Sequence, residues 1–133
     1  MKYVALVYYD EAKMQQLTQD EWDALNRECM DCGESLRARH VMIGGEALLS
    51  IQTATTLRVR NQQLEMTDGP FAETKEQLAG FYLLEAGDLN EAIQAASKIP
   101  PARYGSVEIR PVRELQAENN RPYQAAETPS DVQ

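Results

Sequence analysis

The segment TDGPFAETKEQLAGFY, residues 67–82, joins a turn, a charged connector and an apolar strand. Asp68-Gly69-Pro70 is a turn signal, because Asp bonds to nearby backbone, Gly permits a positive φ and Pro fixes φ. Phe71 follows directly, so we expect it to anchor the turn in the core or to form a wall of a cleft. Two roles are open for Asp68. It accepts backbone N–H bonds and organises the turn, or it acts as a general acid or base in a cleft.

A charged cluster follows the turn, with Glu73, Lys75 and Glu76 close together. Such a cluster is most often a solvated surface, but its position between a turn and an apolar strand also suits a binding site. In that second interpretation, Lys75 binds an anionic ligand and Glu73 acts as a base. The segment therefore predicts a site at the mouth of a cleft, formed by the turn and these charges.

Two strands of the sequence are apolar on both faces, residues 2–9 (KYVALVYY) and residues 80–86 (GFYLLEA). A strand of this kind belongs in the middle of a sheet that is covered on both sides. A third strand is predicted at residues 106–112, where Pro111 cannot donate a ladder hydrogen bond and so indicates an edge strand or the end of a strand. On that strand Glu108 and Arg110 share a face, where they form an ion pair or meet a ligand carboxylate.

Two helices are predicted from their start signals. Thr18 and Glu21 form a capping box ahead of an apolar stripe that continues toward His40, and Asp88 begins a second helix in the same way. Gly44-Gly45 predicts a turn after the first helix. Further elements are a short strand at residues 46–51 and a hairpin of residues 55–60 and 63–67, exposed on one face.

The element order is therefore β-α-β, hairpin, β-α-β. Two helices on a mostly antiparallel sheet form an α+β, ferredoxin-like sandwich with an extra β-hairpin. Two helices cover only one face of such a sheet, whereas the central strands are apolar on both. We expect the second face to be covered by a second copy of the chain, which predicts a homodimer.

Composition limits the function classes. The chain has 133 residues, 43% of them hydrophobic, and a formal net charge of −8. That size fits one domain, and the acidic charge argues against nucleic acid or an anionic membrane as a partner. The first apolar run is too short for a signal peptide, so cytoplasm is the expected location. Residues 1–113 form the predicted domain, and residues 114–133 a polar C-terminal tail.

The two cysteines, Cys29 and Cys32, have the spacing of a redox or metal pair. They lie inside the predicted helix and not at its N-terminus, where the helix dipole would lower a thiol pKa. The chain's only histidine, His40, is about two helical turns away. We therefore expect core cysteines, no metal site and no cofactor, since no phosphate-binding loop or serine nucleophile motif occurs either.

The segment at 67–82 resembles the signature of the DGPF family, which is related to the YciI-like (YCII-like) proteins, and the resemblance spans residues 1–113. It implies a dimeric α/β barrel with a cleft beside the sheet. Relatives are often encoded beside, or fused to, extracytoplasmic-function sigma factors, which implies a link to regulation or stress response. The family also implies a His–Asp pair in the cleft of YciI, but this chain has no His on a strand or near Asp68.

Three functions follow from these expectations. The first is a small-molecule-binding or accessory protein, and the alternative is a cofactor-independent acid/base enzyme, such as an isomerase, lyase or hydrolase, with a cleft near the motif. The third is a purely structural dimer. The predicted ligand-binding residues are Asp68, Gly69, Pro70, Phe71, Glu73, Lys75 and Arg110. The remaining polar candidates are Tyr8, Tyr9, Arg58, Arg60, Tyr82 and Glu108.

Overall fold

A four-stranded antiparallel sheet with helices on one face forms the body of the protein. The computed structural model describes residues 1–122. In chain order the elements are β1 (Lys2–Tyr9), α1 (Glu11–Met14), α2 (Gln19–Ala38), β2 (Met42–Ala47), a 3-10 turn (Ile51–Thr53), β3 (Thr55–Arg60), β4 (Gln63–Asp68), β5 (Gln77–Glu85), α3 (Leu89–Ala96), a second 3-10 turn (Pro100–Arg103) and β6 (Ser106–Pro111). The strand order is β2-β5-β1-β6, with β3 and β4 apart as a separate pair. This α+β arrangement is compatible with the predicted ferredoxin-like fold.

The central and edge strands lie where the sequence predicts them. β1 and β5 are the two middle strands, and β6 is at an edge, as Pro111 indicates. The helix-side face of the sheet carries Tyr3, Ala5 and Val7, which are all nearly inaccessible to solvent. These side chains pack with residues of α2 and α3 into one core, so alternate positions of β1 hold the helices against the sheet.

Both predicted helix caps are present. The Thr18 hydroxyl accepts a hydrogen bond from the Glu21 N–H at 3.2 Å, and the Glu21 carboxylate accepts one from the Thr18 N–H at 2.8 Å. Asp88 caps α3 by accepting from the Glu91 N–H at 2.9 Å. Caps of this kind each contribute on the order of 1 kcal/mol, because they satisfy N–H groups that the helix leaves unpaired. Within residues 1–122 no helix has the length and apolar character needed to cross a bilayer.

The Gly44-Gly45 pair corrects one sequence prediction. It is not a turn, since both glycines lie inside β2, which spans residues 42–47 and not the predicted 46–51. β2 follows α2 through a tight connection in which His40 has a positive φ of 60°. A bulge between Met42 and Gly44 shifts the register against β5, and Gly45 has a φ of 155°. Without a Cβ, this strand approaches β5 more closely than another residue would allow.

The hairpin is present but more exposed than predicted. β3 and β4 pair with each other in register and form their own two-stranded sheet. Their apolar side chains share one face, and that face is exposed as well as the polar one. These side chains are Leu57, Val59, Leu64 and Met66, each about 60–70% exposed. The prediction of one exposed face is therefore wrong for the single chain.

After β6 the chain continues without helix or strand to the end of the described residues. The domain boundary after residue 113 and the polar tail stay predictions. Residues 123–133, which make up much of that predicted tail, lie outside the described part of the chain.

Candidate functional site

The predicted turn is organised by Gly69 and not by Asp68. Gly69 has a φ of 95°, its N–H donates to the Ala54 carbonyl at 2.7 Å, and its carbonyl accepts from the Thr56 hydroxyl at 2.8 Å. Asp68 is the exposed last residue of β4, and its carboxylate accepts no hydrogen bond within residues 1–122. The prediction that Asp68 holds the turn through backbone bonds is therefore wrong.

The rest of residues 68–76, hereafter the signature segment, is largely exposed. Phe71 is 78% exposed, so the prediction that it anchors the turn in the core is wrong for the single chain. Pro70, Glu73 and Lys75 are exposed as well. None of these side chains lines the cavity described below. That they bind a ligand stays a prediction.

Where the signature segment meets β5, polar side chains hold it in place, and of these only Glu76 was singled out from the sequence. The Ser106 hydroxyl donates to the Glu76 carboxylate at 2.9 Å. Gln77 accepts from the Glu11 N–H at 2.9 Å and donates to the Thr74 carbonyl at 2.7 Å. Glu76 and Gln77 therefore join the end of the segment to β6 and to the start of α1.

Arg110 is not brought to the signature segment. It lies on β6 opposite Val4, on the sheet face away from the helices. It is four residues along the strand from Ser106, the residue that contacts Glu76, which is about 13 Å of strand length. Within residues 1–122 Arg110 and Glu108 form no ion pair, so the structural ion pair considered for them is absent from the single chain.

A cavity of about 300 Å³ lies between α2 and the sheet, at the β2–β5 side. We call it the α2 cavity. From α2 it is lined by Trp22, Asn26, Cys29, Met30 and Arg37. From the sheet it is lined by Val7, Tyr9, Met42 and Tyr82, together with small residues. Its size and mixture of apolar walls with a few polar groups are typical of a small-molecule site.

Glycines line this cavity from both the helix and the sheet. Gly45 and Gly80 form part of the sheet wall, and Gly33 faces them from α2. A Cβ on Gly45 would lie 2.7 Å from the Phe81 carbonyl oxygen, and one on Gly80 would lie 2.8 Å from the Glu46 carbonyl oxygen. Gly45 and Gly80 therefore let the two strands approach each other closely.

Two tyrosines present hydroxyl groups beside the cavity. Burial raises the pKa of Tyr82 to about 12, with the nearby Cys29 and Cys32 acting in the same direction and Arg37 opposing it. Burial, then the Glu11 charge, also raises the pKa of Tyr9. Neither hydroxyl makes a hydrogen bond to another part of residues 1–122, and neither is a fully buried unpaired group. Both remain protonated at neutral pH and available as donors to a ligand.

The two cysteines are free thiols in partly buried positions. Burial raises the pKa of both, and for Cys29 the neighbouring Cys32 and Glu28 raise the pKa further. Cys32 donates to the Lys98 carbonyl at 3.5 Å and packs against the core, while Cys29 lines the α2 cavity. In the described part of the chain, no group of three or more His, Cys, Asp and Glu side chains is placed to hold a metal ion.

Some residues that line this cavity belong to sequence patterns that are typical of a buried core. Trp22 and Cys29 belong to the apolar stripe of α2, but they face the cavity and only Leu25 and Leu36 of that stripe are fully buried. Tyr9 and Tyr82 stood among the remaining candidates. Gly33, Gly45 and Gly80 are visible in the sequence as positions without a side chain. They lie around one cavity only because β2 pairs with β5, and no local pattern reveals that pairing.

The sequence matches the YCII-related domain over residues 1–116. It is also similar to an uncharacterised protein of Rhizobium meliloti (strain 1021), with 34% identity over 118 residues that cover 84% of this chain and 92% of the relative. The chain therefore belongs to the YCII-related family, which confirms the predicted relationship at that level.

Proposed function

We propose that this YCII-related protein binds a small molecule in the α2 cavity and works as a homodimer. The observation that carries the first part is the cavity itself, which combines apolar walls with a guanidinium and two unpaired hydroxyls. The signature segment supports this location, because its side chains are largely exposed and do not line the α2 cavity, whereas ligand sites bury most of the ligand surface. A regulatory or stress-response role linked to a sigma factor stays part of the proposal on family context alone.

Binding is favoured over the alternative of acid/base catalysis near the motif. A general base near neutral pH needs a group that gives up its proton readily. The cavity tyrosines and Cys29 have raised pKa values, so they keep their protons. The carboxylates of Asp68 and Glu73 are exposed and do not line the α2 cavity. Donors held in place suit recognition of a ligand more than proton abstraction from one.

A metabolite screen by thermal shift tests the proposed site. A ligand at a hundred times its dissociation constant adds about 2.7 kcal/mol to the free energy of unfolding. The matched variant is Gly33→Leu, which extends a side chain from α2 into the cavity at a position where a Cβ meets only Arg37 and Met42, at 3.4 and 3.6 Å. We expect hits on the wild type to lose their effect on Gly33→Leu.

A second variant distinguishes ligand binding in the α2 cavity from ligand binding at the signature segment. Lys75→Ala removes the predicted anion-binding charge at an exposed position. If the ligand sits in the α2 cavity, Lys75→Ala responds as the wild type does. If a ligand stabilises wild type and Gly33→Leu equally, but not Lys75→Ala, the α2 cavity is not the binding site. That result would favour binding at the signature segment.

The homodimer is supported by the sheet face that no helix covers. By strand register this face carries Val4, Leu6 and Leu83 at its centre, all partly exposed in the single chain. Lys2 and Arg110 lie on the same face as Glu85 and Glu108, so its rim holds charges of both signs. A two-fold axis places such a patch against its own copy, with apolar on apolar and unlike charges in reach of each other.

Light scattering with one variant tests the interface. We expect wild type to be a dimer at micromolar concentration, and Leu83→Lys to be a monomer because it buries an unpaired charge in the contact. Met66→Lys, on the exposed face of the hairpin, is the matched control and should remain a dimer. A monomeric wild type would contradict this part of the proposal.

A further inference from the structure

The α2 cavity of this acidic protein is lined by an unpaired basic side chain. The protein has a formal net charge of −8, but Arg37 is the single basic residue among those lining the cavity in the described part of the chain. No carboxylate of residues 1–122 lies within 4.0 Å of its guanidinium. Arg103, in contrast, is held by two hydrogen bonds to Glu28, at 2.8 and 3.1 Å. An unpaired guanidinium at a cavity is a ready partner for an anion.

One acidic residue, Glu46, also contributes to the cavity lining. It pairs in register with Phe81, whereas its neighbour Gly45 pairs with Tyr82 on the helix side. Since strand side chains alternate between faces, the Glu46 carboxylate belongs to the opposite side of the sheet from Arg37. The cavity therefore has a cation without a compensating anion on its own side.

A neutral hydroxyl donor stands near that cation. Tyr82 lines the same cavity as Arg37, half-buried on the helix side of the sheet, and the Arg37 charge lowers its pKa against the larger effect of burial. A guanidinium and a phenol together can supply three hydrogen bonds, two from the fork of the Arg and one from the Tyr. A carboxylate has two oxygens that accept such a set.

The rest of the cavity suits a flat apolar group. Its helix side includes the half-buried indole of Trp22, with the exposed thioether of Met30 at the rim. The sheet wall at Gly45 and Gly80 is backbone, with the Met42 methyl group packed against Gly45. Aromatic and thioether groups pack well on a ring, and a bare backbone wall lets a flat group lie close to it. A volume of about 300 Å³ is at the small end for ligand sites, which fits one ring with short substituents.

We propose that the α2 cavity takes a small aromatic carboxylate, with the carboxylate on Arg37 and Tyr82 and the ring between the Trp22 side and the glycine wall. The inference rests on the proposed function, since it names the ligand class of the same cavity.

The experiment uses the intrinsic fluorescence of Trp22, which is the chain's single tryptophan and lines the cavity. Wild type is titrated with four probes, benzoate, benzyl alcohol, cyclohexanecarboxylate and acetate. We expect benzoate to bind at least tenfold more tightly than benzyl alcohol, which keeps the ring and lacks the charge. We expect the weakest response from acetate, which keeps the charge and lacks the ring.

Arg37→Gln and Arg39→Gln form the matched pair of variants. Both positions are exposed and lie at the C-terminal end of α2, so both substitutions remove one favourable charge from that helix end. Arg37 lines the α2 cavity, whereas Arg39 lines a separate depression. Arg37→Gln should abolish the preference of benzoate over benzyl alcohol, and Arg39→Gln should retain it.

The outcomes distinguish a wrong ligand class from a wrong binding site. Equal binding of benzoate and benzyl alcohol by wild type would overturn the acid class and leave small-molecule binding in the cavity intact. Equal binding of benzoate and cyclohexanecarboxylate would overturn the need for a flat ring. If no probe changes the Trp22 signal, the aromatic-acid class is wrong, while the thermal-shift screen with Gly33→Leu still decides on the cavity.

Discussion

The α2 cavity and the signature segment are built in opposite ways. The cavity is assembled from α2, β1, β2 and β5, and most of its walls come from side chains that are partly or fully buried. The signature segment is one continuous stretch, residues 68–76, with Phe71 78% exposed. A continuous motif is visible in the sequence, whereas a cavity made by four elements is not. In this chain the continuous motif is therefore not the stretch that encloses the volume, and the family match over residues 1–116 includes both regions.

The two regions also differ in what glycine does. Gly69 in the signature segment has a positive φ but open space around it, since nothing lies within 4 Å of the position of its Cβ. Gly45 in the cavity wall has a positive φ and also crowded surroundings. The first glycine serves local backbone geometry, and the second serves the packing of two strands. That difference should be measurable as stability.

The largest expected effect comes from Gly45→Ala. The new methyl group would lie 2.7 Å from the Phe81 carbonyl oxygen and 2.8 Å from the Met42 methyl carbon, on a backbone that L side chains rarely adopt. Backbone strain and overpacking together should lower the free energy of unfolding by about 2–4 kcal/mol. Gly69→Ala carries the backbone strain without the overlap, so we expect a loss of about 1 kcal/mol.

Urea denaturation of both variants at one protomer concentration measures this difference, because association would make stability depend on concentration. Losses of equal size would contradict the distinction between a crowded cavity wall and an open turn.

Local signals in the sequence predicted most elements of the fold. The helix caps, the two apolar strands and the hairpin need only neighbouring residues, and the structure contains all of them. The predicted box at Asp88 is formed only in part, because the Glu91 carboxylate accepts from the Gly87 N–H and not from the Asp88 N–H. Gly44-Gly45 was misassigned, because a glycine pair at a turn and one at a strand crossing look alike until the partner strand is known. The cavity could not be predicted for the same reason, since it depends on β2 pairing with β5 across more than thirty residues of chain.

Tyr82, which lines the α2 cavity, should lose its proton at a higher pH than an exposed tyrosine. Burial raises the pKa of Tyr82 to about 12 from an ordinary value of 10.0. Between these two values the unfolded state has lost a proton that the folded state still holds, so stability falls as pH rises through this range. Below pH 10 the buried, neutral Tyr82 makes its full contribution to the free energy of unfolding.

Absorbance of tyrosinate, compared between wild type and Tyr82→Phe, checks the titration. The difference between the two proteins should appear near pH 12, after the exposed tyrosines have ionised. The decline in stability between pH 10 and 12 should be shallower in Tyr82→Phe. A difference spectrum that appears near pH 10 would place the Tyr82 hydroxyl in free solvent. It would contradict the burial of Tyr82 beside the α2 cavity.

A smaller effect is expected at the two cysteines. Because burial raises the pKa of Cys29 and Cys32, the thiolate fraction at neutral pH is below that of a free cysteine. A thiol reagent should therefore react more slowly with the folded protein than with the protein in denaturant. With the single-thiol variants Cys29→Ser and Cys32→Ser, a cavity ligand should protect Cys29 and leave Cys32 unaffected. Rapid formation of a disulfide under mild oxidation would contradict the structural assignment of this pair.

The smallest expected effect separates two aspartates. Asp88 caps α3 through the Glu91 N–H, so Asp88→Ala should lower the free energy of unfolding by about 1 kcal/mol. Asp68 is exposed and accepts no hydrogen bond within residues 1–122, so Asp68→Ala should stay within about 0.5 kcal/mol of wild type. Chemical denaturation of the two variants side by side measures both. If Asp68→Ala costs as much as Asp88→Ala, the carboxylate has a partner that the single chain lacks, and the second copy proposed at the dimer contact is where to look for it. If Asp68→Ala is neutral in stability but loses the response to a ligand found in the screen, the signature segment contacts that ligand, and the site extends beyond the α2 cavity.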